Sequence, residues 1–262
     1  MIRLFSVAIL SLFLFACSDD AVKEDPYANW TAKQFYEDAS YALQTGEFEK
    51  AIKSLENLEI RFPWSPYARQ AQLDVAYAYY KFEEPESAIA AADRFIRNNP
   101  RDPNVDYAWY LKGLADYSRG SGFLDSLLPR DISLHDNQSM HRSLRNFATL
   151  VERFPKSRYA DDAYQHMIFL RNKLAEAELH AANYYMQRKA WLAAARRGQY
   201  VLKYYPTTPA SREALKIMVT AYNALGLTDL AQDAQKVLDN NSADKPQQLV
   251  TSIESQPEAP VN

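Results

Sequence analysis

Apolar residues fill positions 4–15 almost without a break, after a positive charge at Arg3 and before the small Ala16. That order of charge, apolar core and small residue is the pattern of a secretory signal. At about 12 residues the run falls short of the roughly 20 needed to span a bilayer. From there the chain alternates between proline clusters and long proline-free stretches. The clusters are Pro63 with Pro66, Pro100 with Pro103, and Pro206 with Pro209, while Pro155 stands alone. A proline inside a helix costs about 3 kcal/mol, so the pattern predicts helices between the clusters. Beyond Asn240 the sequence turns polar and poor in aromatics, and a disordered tail is expected over 241–262.

The punctuation recurs with its context. RFPWSPYARQA (61–71) and RFPKSRYADDA (153–163) match at Arg, Phe, Pro, Ser, Tyr, Ala and the final Ala. YYPTTPASREA (204–214) and NNPRDPNVDYA (98–108) are looser copies. A small residue stands 12 positions before each proline: Ala51, Ala88, Ser143 and Ala194. Another position follows 13 after it, at Ala76, Gly113 and Val219. Ala39, Ala76, Ala182 and Val219 each lie 12 before Ala51, Ala88, Ala194 and Ala231. Small residues so placed let two helices cross closely, which is the skeleton of the tetratricopeptide helix–turn–helix repeat. Trp109 and Gly113 supply the Trp and Gly of that signature, and Gly46 and Gly226 sit where the turn inside a repeat belongs. The prediction is an all-α solenoid of about five such repeats, two over 31–103 and three over 104–240.

Capping signals agree. Thr31 with Gln34 reads as a capping box. Ser65-Pro66 and Thr208-Pro209 read as a capping hydroxyl before a first-turn proline. Ser157 reads as a cap followed by Asp161 and Asp162, favourable to the helix dipole. Two irregularities break the period. Gly113 and Ser143 lie 30 apart instead of 12, an insertion near 120–138. Pro155 and Ala182 lie 27 apart instead of 13, and no Gly or Pro falls between 156 and 197. The excess makes about four helical turns, so one long helix is expected near 158–188.

The net charge of −3 provides no basic field for nucleic acid. Six glycines form no phosphate loop. His135, His141, His166 and His180 lack metal-ligand spacing and are expected to be solvated surface residues. No nucleophile elbow or catalytic constellation is found, so neither an enzyme nor a metal or other cofactor is predicted. Tyrosine is abundant at 18. In tetratricopeptide arrays the first helix of each repeat lines the concave groove. There the expected positions hold Tyr36, Tyr77, Tyr80, Tyr107, Tyr110 and Tyr117. Tyrosine pairs an apolar body with a polar tip, which suits peptide capture; packing between helices is the alternative for some of the set. A second candidate surface is Arg188, Lys189, Trp191, Arg196 and Arg197 in repeat 4, against the alternative of a solvated basic face.

The single cysteine, Cys17, cannot form an internal disulfide. Leu14-Phe15-Ala16-Cys17 resembles the lipobox of bacterial lipoproteins, with Phe15 larger than usual at its position. The resemblance implies cleavage after residue 16, acylation of Cys17 and a flexible lipidated tether over 17–30. Ser18, rather than Asp, favours the outer membrane under enterobacterial-type sorting. An incidental thiol is the alternative.

Lipobox, five repeats, the RFPxSxYA signature and a loop inside repeat 3 occur together, and the chain resembles the BamD/ComL family of outer-membrane assembly lipoproteins over about residues 31–240. The resemblance implies a scaffold facing the periplasm, docked on the periplasmic domains of BamA and on other accessory lipoproteins, that helps unfolded β-barrel proteins fold and insert. It further implies that N-terminal repeats recognise substrate targeting peptides and C-terminal repeats hold BamA. The alternatives are a repeat scaffold for peptidoglycan, division or envelope-maintenance machinery, and a cell-wall glycosidase, for which the chain leaves no room.

Overall fold

A computed structural model describes residues 25–119 and 137–240. The expected signal segment, Cys17, nearly all of the expected insertion and the expected tail lie outside the described residues. Among the described residues ten helices follow one another without a strand. They are α1 (Ala32–Thr45), α2 (Phe48–Arg61), α3 (Ala68–Lys81), α4 (Pro85–Asn98) and α5 (Val105–Ser118). Then come α6 (Asn137–Arg153), α7 (Ala160–Gln187), α8 (Trp191–Tyr204), α9 (Ala210–Ala224) and α10 (Thr228–Asn240). Each helix packs on the next, which gives five helix–turn–helix units and the predicted all-α solenoid. The first helices of repeats 2 and 3, and of repeats 4 and 5, also touch one another. That closer approach puts the first helices on the concave side.

The small positions are the crossing points. Ala39, Ala51, Ala76, Ala182 and Ala194 are wholly buried, and Ala88 and Ala231 nearly so. A Cβ on Gly113 would stand 2.4 Å from the Phe147 ring, so α5 and α6 meet as closely as backbone allows. Val219 is only half-buried.

One turn closes four of the repeats. The N–H groups of Glu47, Glu84, Ala190 and Leu227 donate to the carbonyls of Ala42, Tyr79, Tyr185 and Tyr222 at 2.8, 3.0, 2.9 and 2.9 Å. Each closure has the six-to-one hydrogen bond of a Schellman cap. It needs a left-handed residue one position earlier. Gly46 (φ 79°) and Gly226 (φ 72°) supply it freely, whereas Glu83 (φ 60°) and Lys189 (φ 58°) adopt it despite a side chain. All four stand five residues before Ala51, Ala88, Ala194 or Ala231.

The RFPxSxYA signature encodes a second device, two successive turns between repeats. The N–H groups of Ser65, Asp102, Ser157 and Thr208 donate to the carbonyls of Phe62, Asn99, Phe154 and Tyr205. The N–H groups of Ala68, Val105, Ala160 and Ser211 then donate to the carbonyls of Ser65, Asp102, Ser157 and Thr208. This geometry corrects three expected caps. Thr208 Oγ1 donates back to the Tyr205 carbonyl (2.8 Å), and α9 begins after Pro209. Ser65 Oγ is buried without a partner, and α3 begins only at Ala68. The backbone turn already satisfies the donors these hydroxyls would have capped. Ser157 Oγ accepts from the Tyr159 N–H (3.1 Å) within the turn, but Tyr159 is the residue that precedes α7 and no side chain caps that helix. Only Thr31 caps as expected, forming the full capping box with Gln34.

The last six residues of the expected tether, 25–30, are not a linker. Residues 25–30 form turns against the first repeat. The Tyr27 and Trp30 rings meet at 4.7 Å and both contact Phe35. Arg61 pairs with Asp25 and donates to the Tyr27 carbonyl. Aromatic burial and a charge-assisted bond thus fix what composition alone presents as linker.

Three core clusters run along the array. The first holds Phe35, Leu55, Leu58 and Phe95, the second Phe147, Leu150, Leu170 and Leu174, and the third Leu215, Ile217 and Tyr222. Where the insertion leaves the fold, buried Asp116 accepts from Arg142 Nε (3.0 Å) and Asn146 Nδ2 (2.7 Å), tying α5 to α6. The excess in repeat 4 is taken up by α7, whose 28 residues extend about 42 Å at 1.5 Å per residue.

Candidate functional site

The six predicted tyrosines all lie on first helices: Tyr36 on α1, Tyr77 and Tyr80 on α3, and Tyr107, Tyr110 and Tyr117 on α5. All are half-buried, so each ring is held by neighbours while part of it stays exposed. Tyr36 stacks on Tyr67 at 5.2 Å and donates its hydroxyl to Asp74 (3.2 Å). Tyr107 and Tyr110 meet Tyr159 at 5.1 and 4.9 Å, the latter nearly parallel. The Tyr110 hydroxyl donates to Asp162 (2.6 Å). Tyr117 packs beside His166 and edge-on to Phe169. Tyr77 and Tyr80 pack against the first core, so for them the face toward the groove and the contact between helices coexist.

These groups act on one another along the row. Burial pushes the Tyr36 hydroxyl up to about 12, and the Asp74 charge adds to it. Burial raises Tyr107 further, with Tyr159, Tyr77 and Asp74 reinforcing it. Burial likewise raises Tyr110, helped by Asp162 and Tyr80, and Tyr80, helped by Tyr77. Every tyrosine with a raised value is therefore a neutral hydroxyl near neutrality. Asp74 is itself pushed up by burial, against the hydrogen bonds from Gln70 and Tyr36. The result is a row of apolar rings with polar tips, those of Tyr36 and Tyr110 held by Asp74 and Asp162, chemically able to take an extended apolar or aromatic segment.

Sequence reasoning missed four members of this surface. Tyr67 and Tyr159 occupy the tyrosine of the RFPxSxYA signature, which reads as a repeat marker. Asp74 and Asp162 orient hydroxyls from neighbouring helices, and no local spacing announces that. The expectation of solvated histidines fails for two residues. His166 is half-buried, stacks on Phe147 at 5.0 Å with planes 8° apart, and lies 3.4 Å from Asp162. His141 is half-buried, and burial lowers its imidazole below the ordinary value. His166 sits where α6 and α7 pack, so there ring area outweighs polarity. His180 is exposed, and His135 lies outside the described residues.

The second predicted surface divides. Arg188, Lys189 and Arg196 are exposed, and Arg188 lies over the Tyr184 ring at 4.7 Å. Trp191 is half-buried against the third core. Arg197 pairs with Glu178 across α8 and α7 at 2.9 Å, and that bond raises its already high pKa. Arg197 is thus an internal strut. Among the described residues no His, Cys, Asp and Glu group could hold a metal ion, and no helix is long and apolar enough to cross a membrane.

The sequence profile of a family described as YfiO, outer membrane lipoprotein, matches residues 28–238. A protein of Neisseria meningitidis serogroup A, named outer membrane protein assembly factor BamD, is 40% identical over 249 residues, 94% of this chain and 93% of its own. A Vibrio cholerae protein of the same name is 38% identical over 87% of this chain and 93% of its own. Among solved structures, a Podosopora anserina chain of nearly identical TPR-like repeats is 16% identical with a TM-score of 0.35, covering 79% of this chain and 92% of that one.

Proposed function

The chain belongs to the YfiO family of outer membrane lipoproteins, and on that premise we propose that it is an outer-membrane protein assembly factor, a repeat scaffold of the β-barrel assembly machinery. Its relatives carry that name over nearly their whole length, and the solenoid is an architecture of surfaces rather than of a catalytic centre. The peptidoglycan and division alternative has no counterpart among the relatives named above. In this reading acylated Cys17 holds the protein to the outer membrane, facing the periplasm. Its partners are the periplasmic domains of BamA, other accessory lipoproteins and unfolded barrel proteins.

The observation that carries the substrate side is the continuous tyrosine row on α1, α3 and α5. It offers rings for aromatic side chains and hydroxyls for backbone groups. A photocrosslinking peptide ending in an apolar, aromatic strand should label the wild type. Alanine at Tyr77, Tyr80 and Tyr110 together should cut the yield at least several-fold, with far-UV circular dichroism showing the helices retained. Undiminished labelling would place substrate elsewhere. For the docking side, Arg196→Glu is the informative change. Arg197→Glu would also break the Glu178 strut and confuse docking with folding.

A further inference from the structure

The two most exposed large apolar side chains among the described residues are neighbours: Trp64 at 96% and Ile60 at 78%. Trp64 is the tip of the turn between repeats 1 and 2. The same tip position, just after the signature proline, holds Arg101, Lys156 and Thr207 in the next three connections. All four are exposed, and the shared double turn places them along one edge of the solenoid. None is acidic. The acid nearest them in register, Asp102, is paired with Arg69 at 3.2 Å. Helix ends do not account for the tip cations, because Arg61, Arg97 and Arg153 already stand in the last turns of α2, α4 and α6.

The start of the folded chain lies at the same edge. Arg61, three residues from Trp64, pairs with Asp25. Between Cys17 and Asp25 there are eight residue steps, which reach at most about 28 Å when fully extended. An acyl chain on Cys17 therefore keeps this edge within a short distance of the bilayer. Indole prefers the boundary between hydrocarbon and headgroup, and surface cations favour anionic lipid.

We propose that this edge is a second membrane contact, with Trp64 and Ile60 seated in the interface of an anionic phospholipid surface and Arg101 and Lys156 above its headgroups. It rests on the reading of Cys17 as the lipid anchor. The contact sets how the array lies: one edge faces the membrane, so the groove opens along the surface.

The mature lipoprotein is reconstituted in phosphatidylethanolamine–phosphatidylglycerol vesicles with brominated or ordinary acyl chains, and tryptophan emission is compared. Trp30, Trp109 and Trp191 are half-buried, so Trp64 is the indole positioned to meet bromine. Emission should fall in brominated vesicles, and Trp64→Phe should abolish the fall without altering vesicle flotation. Equal emission in both lipids by floating protein overturns the proposal. Trp64 unquenched on vesicles but photocrosslinked to a protein in cells overturns it in favour of a protein partner. The mass of the amino-terminal peptide reports the anchor separately. If Cys17 carries no lipid, an amino-terminal histidine tag on nickel-chelating lipid takes its place, and the same quench decides the edge.

Discussion

Gly113→Ala tests the close crossing of α5 and α6. The new methyl would lie 2.4, 2.6 and 2.7 Å from three atoms of the Phe147 ring, where carbon atoms prefer about 3.5–4.0 Å. The ring cannot swing aside easily. It is wholly buried, stacked on His166 and flanked by Tyr110 at 6.0 Å. An extra methyl in a packed core costs about 1–3 kcal/mol, and three contacts this short point to the upper end. Separating the helices also strains the bond from Ser143 Oγ to the Gly113 carbonyl (2.8 Å), worth about 1 kcal/mol. Alanine recovers about 1 kcal/mol of helix propensity. The net expectation is a loss of about 2–3 kcal/mol in urea unfolding followed by far-UV circular dichroism. Gly198→Ala should also cost stability, because there the methyl meets Met218 Cγ at 2.7 Å and the backbone carbonyl oxygen of Ala214 at 3.0 Å, of which only the methionine has rotamers to spare. Phe147→Leu added to Gly113→Ala should cost less than the sum of the single changes. A Gly113→Ala protein as stable as wild type would refute the close crossing.

At the left-handed turn positions, Glu83→Gly and Lys189→Gly should each gain up to about 1 kcal/mol, while Gly46→Ala, with open space around its Cβ, should lose about 1 kcal/mol; thermal melts of the four proteins read the sign directly. His141 has its pKa lowered by burial and by Arg145 from the usual 6.5. It therefore contributes stability above pH 6.5 that is lost as pH falls through the depressed value. His141→Gln should flatten that acid-side slope in urea midpoints measured between neutral and mildly acid pH.

Much of the architecture was legible because it rests on residue types with few uses. Proline marks where helices stop, and alanine or glycine marks where they cross. The left-handed turns were legible only at Gly46 and Gly226. Glu83 and Lys189 adopt the same backbone because flanking helices impose it, and a strained glutamate looks like any other. Ser65 and Thr208 misled because hydroxyl before proline is a cap signal only where the helix starts at once. The candidate site was half legible. Helical register put the tyrosines on first helices, but Asp74, Asp162 and His166 reach them across repeats, over distances no local pattern encodes.

The long α7 changes how the molecule comes apart. In a solenoid of short helices each repeat answers only to its neighbours, so repeats can fray one by one. Here a single helix buries Leu170 and Leu174 in the second core and Ala182 in the third, and Leu179 touches both. Unwinding it anywhere opens two cores at once, which fuses repeats 3 to 5 into one cooperative melting block. The first two repeats join that block through the first core, which also buries Val105, Ala108 and Leu111 of α5, and through Trp109, which packs against both the first and second cores. Pulling the first two repeats away would therefore strip buried residues of α5 as well, so the edge of the block is shared and not a clean break.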